Sequence, residues 1–157
     1  LVFSPLLVHS EEKIVYLDLD NIVSQTKAGK KIVSNLEKSK KATLSKFEKK
    51  EKELKKIEDD INKQKNILSE EELKKKLVEF RKQISSFQNE RQNVINDFNK
   101  KKVNEFNNFF KKITPIIEKY VNEKKIDMVL DRKNVFVASK KKDITNEIID
   151  LIDAKVK

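Results

Sequence analysis

Cysteine and tryptophan are absent from this 157-residue chain, glycine and histidine occur once each, and proline occurs twice. Each shortage excludes something. Without cysteine there are no disulfides and no thiol chemistry. With Gly29 alone there can be no glycine-rich phosphate loop, and with His9 alone there can be neither a histidine-based triad nor a histidine metal cluster. Scarce glycine and proline also remove the punctuation that a compact fold uses at its many turns, which predicts few, long elements. No apolar run reaches the roughly 18 to 20 residues of a transmembrane helix.

What is abundant is charge. Charged residues make up 39% of the chain, and lysine drives a net charge of +10. That balance favours acidic partners such as nucleic acid, an anionic membrane surface or acidic polypeptides, without choosing among them.

The first ten residues, "LVFSPLLVHS", are apolar up to Val8, and a small residue, Ser10, precedes Glu11 and Glu12. This matches the end of a secretory leader, so residues 1–10 read as a signal-peptide remnant. An apolar tail or strand is the plain alternative.

"KIVYLDL", Lys13 to Leu19, has the contiguous β-prone residues Ile14, Val15, Tyr16 and Leu17, as in a buried strand. A helix starts within the next stretch, and Gly29 near its start could mark a bend or a close backbone contact. From Lys30 to Leu68 the composition is helical. Val33, Phe47, Leu54, Ile61 and Leu68 share one heptad position; Leu36, Thr43, Lys50, Ile57 and Gln64 share its companion. One seam position is well filled and the other half filled, enough to hold one partner helix.

"ILSEEELKKKL" breaks the run, because Ser69 and Glu72 form a capping box for a new helix. Its stripe passes through Leu73, Leu77, Phe80, Ile84, Phe87, Val94 and Phe98, then shifts phase to Val103, Phe106, Phe110, Ile113, Ile117 and Tyr120. Pro115 predicts a kink. Helices of about 40 and 55 residues would make an antiparallel hairpin roughly 60 Å long.

Near the end, "KIDMVLDRKNVFVASKKKDIT" carries two β-like runs, Ile126 to Leu130 and Val135 to Ala138, before a helix capped by Asp143 or Thr145. The expected fold is mainly α with a small β body: a long helical hairpin, 29–125, inserted in a head made of 11–28 and 126–157. Three short strands and one helix are a very small core, so oligomerisation is expected. Ile14, Val15, Tyr16, Leu17, Met128, Val129, Leu130, Val135, Phe136 and Val137 are the expected head and assembly core.

The two ends, "KIVYLDLDNIVSQTKAGKKIVSNLE" and "IDMVLDRKNVFVASKKKDITNEIIDLI", resemble the Skp/OmpH family of periplasmic chaperones for outer-membrane proteins. In the second, Asp131 ends a hydrophobic strand and Asp143-Ile144-Thr145 opens a helix, as in that family. The middle matches in length and character only. The resemblance implies a periplasmic homotrimer whose hairpins surround a cavity and hold unfolded outer-membrane proteins without ATP. It implies no cofactor and no enzymatic activity. An anionic lipid or lipopolysaccharide surface is a further implied partner, with no residue assigned to it.

Asp18, Asp20, Asp127 and Asp131 could suggest acid–base or metal chemistry, but strand ends and turns are the ordinary place for aspartate. The lysines of "KSKKATLSKFEKKEKELKK", Lys38 to Lys56, and "KKKVNEFNNFFKK", Lys100 to Lys112, read either as a solvated face or as electrostatic capture of clients. Lys49, Lys50, Lys111 and Lys112 are the candidate client contacts. Phe109 joins them because it cannot share the direction of Phe110 on a helix. A basic coiled coil that binds nucleic acid is the rival class, although no DNA-binding module is evident and none is expected to act here. A coiled-coil spacer is a third.

Overall fold

The structure, a computed structural model, describes residues 12–156. The leader remnant expected at 1–10 lies outside the described residues. The chain forms two compact units. One combines the residues through Val33 with those from Asn107 onward, and the other is Ser34–Phe106, which lies between these parts in sequence.

In the first unit, β1 (Ile14–Leu17) pairs in parallel with β2 (Met128–Asp131), with Ile14 opposite Met128 and Leu17 opposite Asp131. The Asp127 N–H donates to the Lys13 carbonyl at 3.0 Å, and the Lys13 N–H donates to the Asp127 carboxylate at 2.6 Å, which extends the ladder by one residue. A short helix α1 (Leu19–Gln25) follows β1, capped by Asp18, whose Oδ1 accepts the Asn21 N–H at 2.9 Å. The helix α2 (Lys27–Gln64) begins in this unit and α3 (Glu70–Glu123) ends in it, and α4 (Thr145–Lys155) closes it against α1. Val15, Leu17, Ile22, Phe109, Ile113, Ile126, Ile144, Ile148 and Ile152 form its core. Such a core stabilises by removing β-branched and aromatic side chains from water.

Thr145 ties the sheet to α4. It is 3% exposed; its hydroxyl accepts the Asp18 N–H at 3.0 Å and donates to Asp143, whose carboxylate also takes the Thr145 N–H at 2.9 Å. The helix begins one residue after Ile144, which has no side-chain cap bond, so neither Thr145 nor Asp143 is its N-cap. Both are instead spent on this tertiary link.

The expected strand at Val135–Ala138 does not form. Asp131 accepts the Lys133 N–H at 3.2 Å and turns the chain into one 3₁₀ turn, Arg132–Asn134. The Arg132 guanidinium then donates to the Val135 carbonyl at 2.6 Å. With the Val135 N–H donating to the Arg132 carbonyl at 3.1 Å, both backbone groups of Val135 are held locally, and the described residues of the head form two strands. A second 3₁₀ turn, Lys140–Lys142, precedes the bridge from Tyr16 to Asp143.

Gly29 is a close backbone approach, as its position suggested. A Cβ there would lie 2.0 Å from the Val23 carbonyl oxygen and 2.9 Å from Thr26 Oγ1. Thr26, fully buried, joins α1 to α2: its hydroxyl donates to the Ile22 carbonyl at 2.8 Å and accepts the Gly29 N–H at 3.2 Å. The neighbouring Lys27 N–H donates to Asp153 on α4 at 2.8 Å.

In the second unit, the Ser34–Gln64 part of α2 and the Glu70–Phe106 part of α3 form a helical hairpin around a short turn. Leu36, Leu54, Ile61 and Phe87 are buried; Phe47, Ile57, Leu73, Leu77, Phe80, Ile84, Val94 and Phe98 are half-buried. The expected heptad seam is therefore the buried one as far as Phe98. Val103, placed on the stripe by its spacing, is 57% exposed.

Gly29→Ala should destabilise the protein by about 3 kcal/mol, because the atom that must move is backbone. Urea unfolding followed by circular dichroism measures it; a loss below about 1 kcal/mol would show that α1 and α2 can separate freely.

Candidate functional site

Two surfaces are candidates, one in each unit. On the head, β1 and β2 turn one face toward the core and leave apolar groups on the other. Ile14 is 37% exposed, its register partner Met128 50%, Leu130 37%, and beyond the strands Phe136 is 98% and Val137 80% exposed. An exposed phenylalanine and valine side by side are uncommon on a chain that has buried its other core residues. Val15, Tyr16 and Leu17 are buried within the chain's own head, and Val129 and Val135 are half-buried. The Arg132 guanidinium lies 5.7 Å from the Tyr16 ring centroid. Of the ten expected assembly residues, Ile14, Met128, Leu130, Phe136 and Val137 leave substantial apolar surface uncovered.

The four aspartates serve structure. Asp18 caps α1, Asp127 and Asp131 hold the backbone at the two ends of β2, and Asp20 pairs with Lys133 at 2.9 Å. The Asp20 carboxylate raises the Lys133 pKa by accepting its hydrogen bond, but both groups are solvated, so the pair contributes little.

On the hairpin, the seam is thin and its centre is a clasp. Phe47 of α2 meets Phe87 of α3 edge to face, with centroids 5.9 Å apart. Arg91 lies over both rings, 5.5 and 5.7 Å from their centroids, and donates to Glu51 at 2.9 Å. The sequence stripe passed over Arg91 because it is charged. Its position, four residues after Phe87 and three before Val94, could have marked it as a seam residue whose aliphatic stem and planar head both pack. At the turn, the capping box forms in full. Ser69 donates to Glu72 from its N–H (3.0 Å) and its hydroxyl (2.6 Å), and the Glu72 N–H returns to the Ser69 hydroxyl at 3.3 Å. The Ser69 hydroxyl and N–H lower the Glu72 pKa, with a smaller contribution from Lys76.

Of the candidate client contacts, Lys49 and Lys50 belong to the hairpin unit and Phe109, Lys111 and Lys112 to the head unit. Lys49, Lys111 and Lys112 are exposed; Lys50 is partly covered and pairs with Glu53 at 3.4 Å. Phe109 is corrected. It is 2% exposed and belongs to the head core, while its neighbour Phe110 is only half-buried, so Phe109 is not available to a client. The pair does diverge, and the inward member is Phe109, which joins Ile113 in the head core while Phe110 packs at its margin. The lysines between Phe98 and Val103 hide the phase of the stripe there.

Positive charge on the hairpin is uneven. Lys38–Lys56 carries nine lysines against three glutamates, whereas 57–89, around the turn, carries seven cations and seven carboxylates. No helix of the described residues is long and apolar enough to cross a membrane.

The model of the family described as outer membrane protein (OmpH-like) matches residues 13–152. Among solved structures, the chain is similar to a candidate outer membrane chaperone (OmpH-like) from Caulobacter crescentus CB15. The TM-score is 0.85 at 15% identity, and the match covers 100% of this chain and 93% of that one. At that identity the likeness shows the fold. No match is found among curated proteins.

Phe87→Ala should cost about 3 kcal/mol of hairpin stability and Arg91→Ala about 1 kcal/mol, with the double variant losing less than the sum because the guanidinium stacks on the removed ring. Hydrogen exchange across Thr43–Phe98 reads both; strict additivity would break the clasp. At the turn, Glu72 has a depressed folded pKa, so its contribution is present above the ordinary glutamate value and lost as pH falls through the folded one. Relative to Glu72→Gln, the protein should therefore keep extra exchange protection at residues 72–75 at neutral pH and lose it on acidification. Equal protection at both pH values would contradict the assignment.

Proposed function

The chain belongs to the outer membrane protein (OmpH-like) family, and from that membership we propose that it is a periplasmic, ATP-independent holdase. Its clients are unfolded outer-membrane proteins, which it keeps from aggregating on their way to the outer membrane. The observation that carries this is the hairpin unit: two helices joined by a single apolar seam, with the remaining faces wet and lysine-rich. A chaperone without fuel must hold many sequences through weak, adaptable contacts and release them again. A thin seam leaves the helices mobile, and cationic faces speed the capture of acidic segments at low salt. Keeping unfolded strands apart blocks the edge-to-edge pairing by which β-barrel chains aggregate.

The working form is a homotrimer assembled through the head. Two paired strands and one closing helix are little for an independent sheet, and Ile14, Met128, Leu130, Phe136 and Val137 supply the uncovered apolar surface that subunits would share. Residues 135–137 find no strand partner among the described residues, so a neighbouring subunit's sheet edge is the natural place for them.

Diluting a urea-unfolded β-barrel outer-membrane protein into nucleotide-free, low-salt buffer should give strongly reduced light scattering at one trimer per client, and less reduction as salt is added. Unchanged scattering would refute holdase activity. Sedimentation should give three times the chain mass, and Phe136→Asp should give single chains that retain helical circular dichroism. A trimer that survives Phe136→Asp and Met128→Asp together would place the interface elsewhere.

A further inference from the structure

The seam of the hairpin is imperfect at more than one place, and the hollow whose lining is mostly apolar lies beside Thr43. Thr43 occupies a heptad position that would ordinarily carry leucine, and Lys50 occupies the next one along. A void of about 190 Å³ remains between the helices there, lined by Lys40, Thr43, Leu44 and Phe47 of α2 and by Val94, Ile95 and Phe98 of α3, with Arg91 at its edge. Leu44 and Ile95 stay 49% and 44% exposed, whereas Phe47, Val94 and Phe98 are half-buried. The void is thus an apolar hollow that the chain itself leaves open.

Its size limits the occupant. A cavity of about 150 Å³ lined by aliphatic and aromatic groups takes one benzene ring, and pockets for whole small molecules start at about 300 Å³. One aromatic side chain fits. Its charge limits the occupant further. Its lining includes two cations: Lys40, which pairs with no carboxylate among the described residues, and Arg91, which gives one donor to Glu51 and has others left. Its α2 wall is part of the Lys38–Lys56 stretch, where lysines outnumber glutamates by three to one, and not of the charge-balanced part around the turn.

We propose that this hollow seats one aromatic side chain of an extended client segment while Lys40 and Arg91 engage carboxylates next to it. This rests on the holdase assignment and deepens it by naming a point on the hairpin where an unfolded chain is gripped. The grip is shallow and single, so its exchange is rapid, as release without fuel requires.

The test uses the full chain with ¹³C-labelled Ile, Leu and Val methyl groups and a short, end-capped peptide of alternating aspartate and phenylalanine. Saturable shifts should appear at the methyl groups of Leu44, Val94 and Ile95. Affinity should fall about tenfold for Leu44→Glu, which places a carboxylate at the mouth and loses one aliphatic contact. Val78→Glu, at an exposed valine outside the hollow, should leave affinity unchanged. Replacing phenylalanine by alanine in the peptide should abolish the shifts, and replacing aspartate by lysine should weaken them several-fold. Shifts confined to other methyl groups, equal binding of the lysine peptide, or the same shifts on concentrating the protein alone would overturn the proposal, the last by showing that a second copy fills the hollow. Should Leu44→Glu perturb folding, the pattern of wild-type shifts decides. If the wild-type chain suppresses client aggregation but shows no shifts here, only the hollow is refuted; if it fails to suppress aggregation, the holdase assignment falls whatever the shifts show.

Discussion

The parallel pairing of β1 with β2 is the constraint on which the head depends. Lys13 and Asp127, 114 residues apart, exchange backbone and side-chain bonds at its start. Closing a flexible loop of that size costs about 4 kcal/mol from its length dependence alone, more than four short strand residues could return. Most of the intervening residues are helical, and each residue fixed in α2 or α3 is no longer free chain. Long-range pairing is thus conditional on prior local order: the sheet closes because the helices have already consumed the entropy that would oppose it. Bonds around the sheet then hold what was closed, with Thr145 taking the Asp18 N–H and Asp153 taking the Lys27 N–H.

That dependence also explains which parts of the structure were legible in the sequence. The capping box at Ser69 and Glu72 and the seam from Leu36 to Phe98 are local or periodic signals and appear where the pattern put them, and the first two strands appear within or beside their expected runs, as Ile14–Leu17 and Met128–Asp131. Their physics lies within one or two helical turns, so a single sequence suffices to read it. The failures are of another kind. Val135–Ala138 has strand composition, but a strand exists only with a neighbour, and here Arg132 holds both backbone groups of Val135 locally. Phe109 was assigned outward because the stripe loses its phase in the lysines between Phe98 and Val103; only the head core, with Ile113 and Ile148, shows that the inward residue is Phe109 and the half-covered one Phe110. The Asp153 bond to α2 could not be anticipated, since an aspartate on a terminal helix gives no hint of which backbone group it will reach.

Arg91 belongs between these two cases. Its spacing was legible and its chemistry misled, because a heptad stripe is ordinarily read by hydrophobicity. A guanidinium can occupy a seam when two aromatic faces and a carboxylate receive it, and here Phe47, Phe87 and Glu51 do so. The substitution has a mechanical consequence. A leucine at this position would bury more apolar area and hold the helices more firmly, whereas stacked arginine keeps part of its charge in water and can leave the seam without stranding an unpaired group.

A hairpin held this way is stable enough to persist and weak enough to adapt. Were the half-filled heptad positions Thr43, Lys50 and Gln64 all leucine, the two helices would approach a continuous coiled coil, rigid along its length and closed to any other side chain. Polar residues at these positions lower stability locally while leaving the helices formed, because helix propensity and the capping box do not depend on the seam. The consequence is a division of labour by burial. The head concentrates its fully buried residues in one cluster and fixes the ends of the chain, and the hairpin spreads partial burial over many positions. Partial burial is what a surface requires if it is to exchange its own contacts for those of a passing chain at little net cost, and most seam groups outside Leu36, Leu54, Ile61 and Phe87 were never fully withdrawn from water.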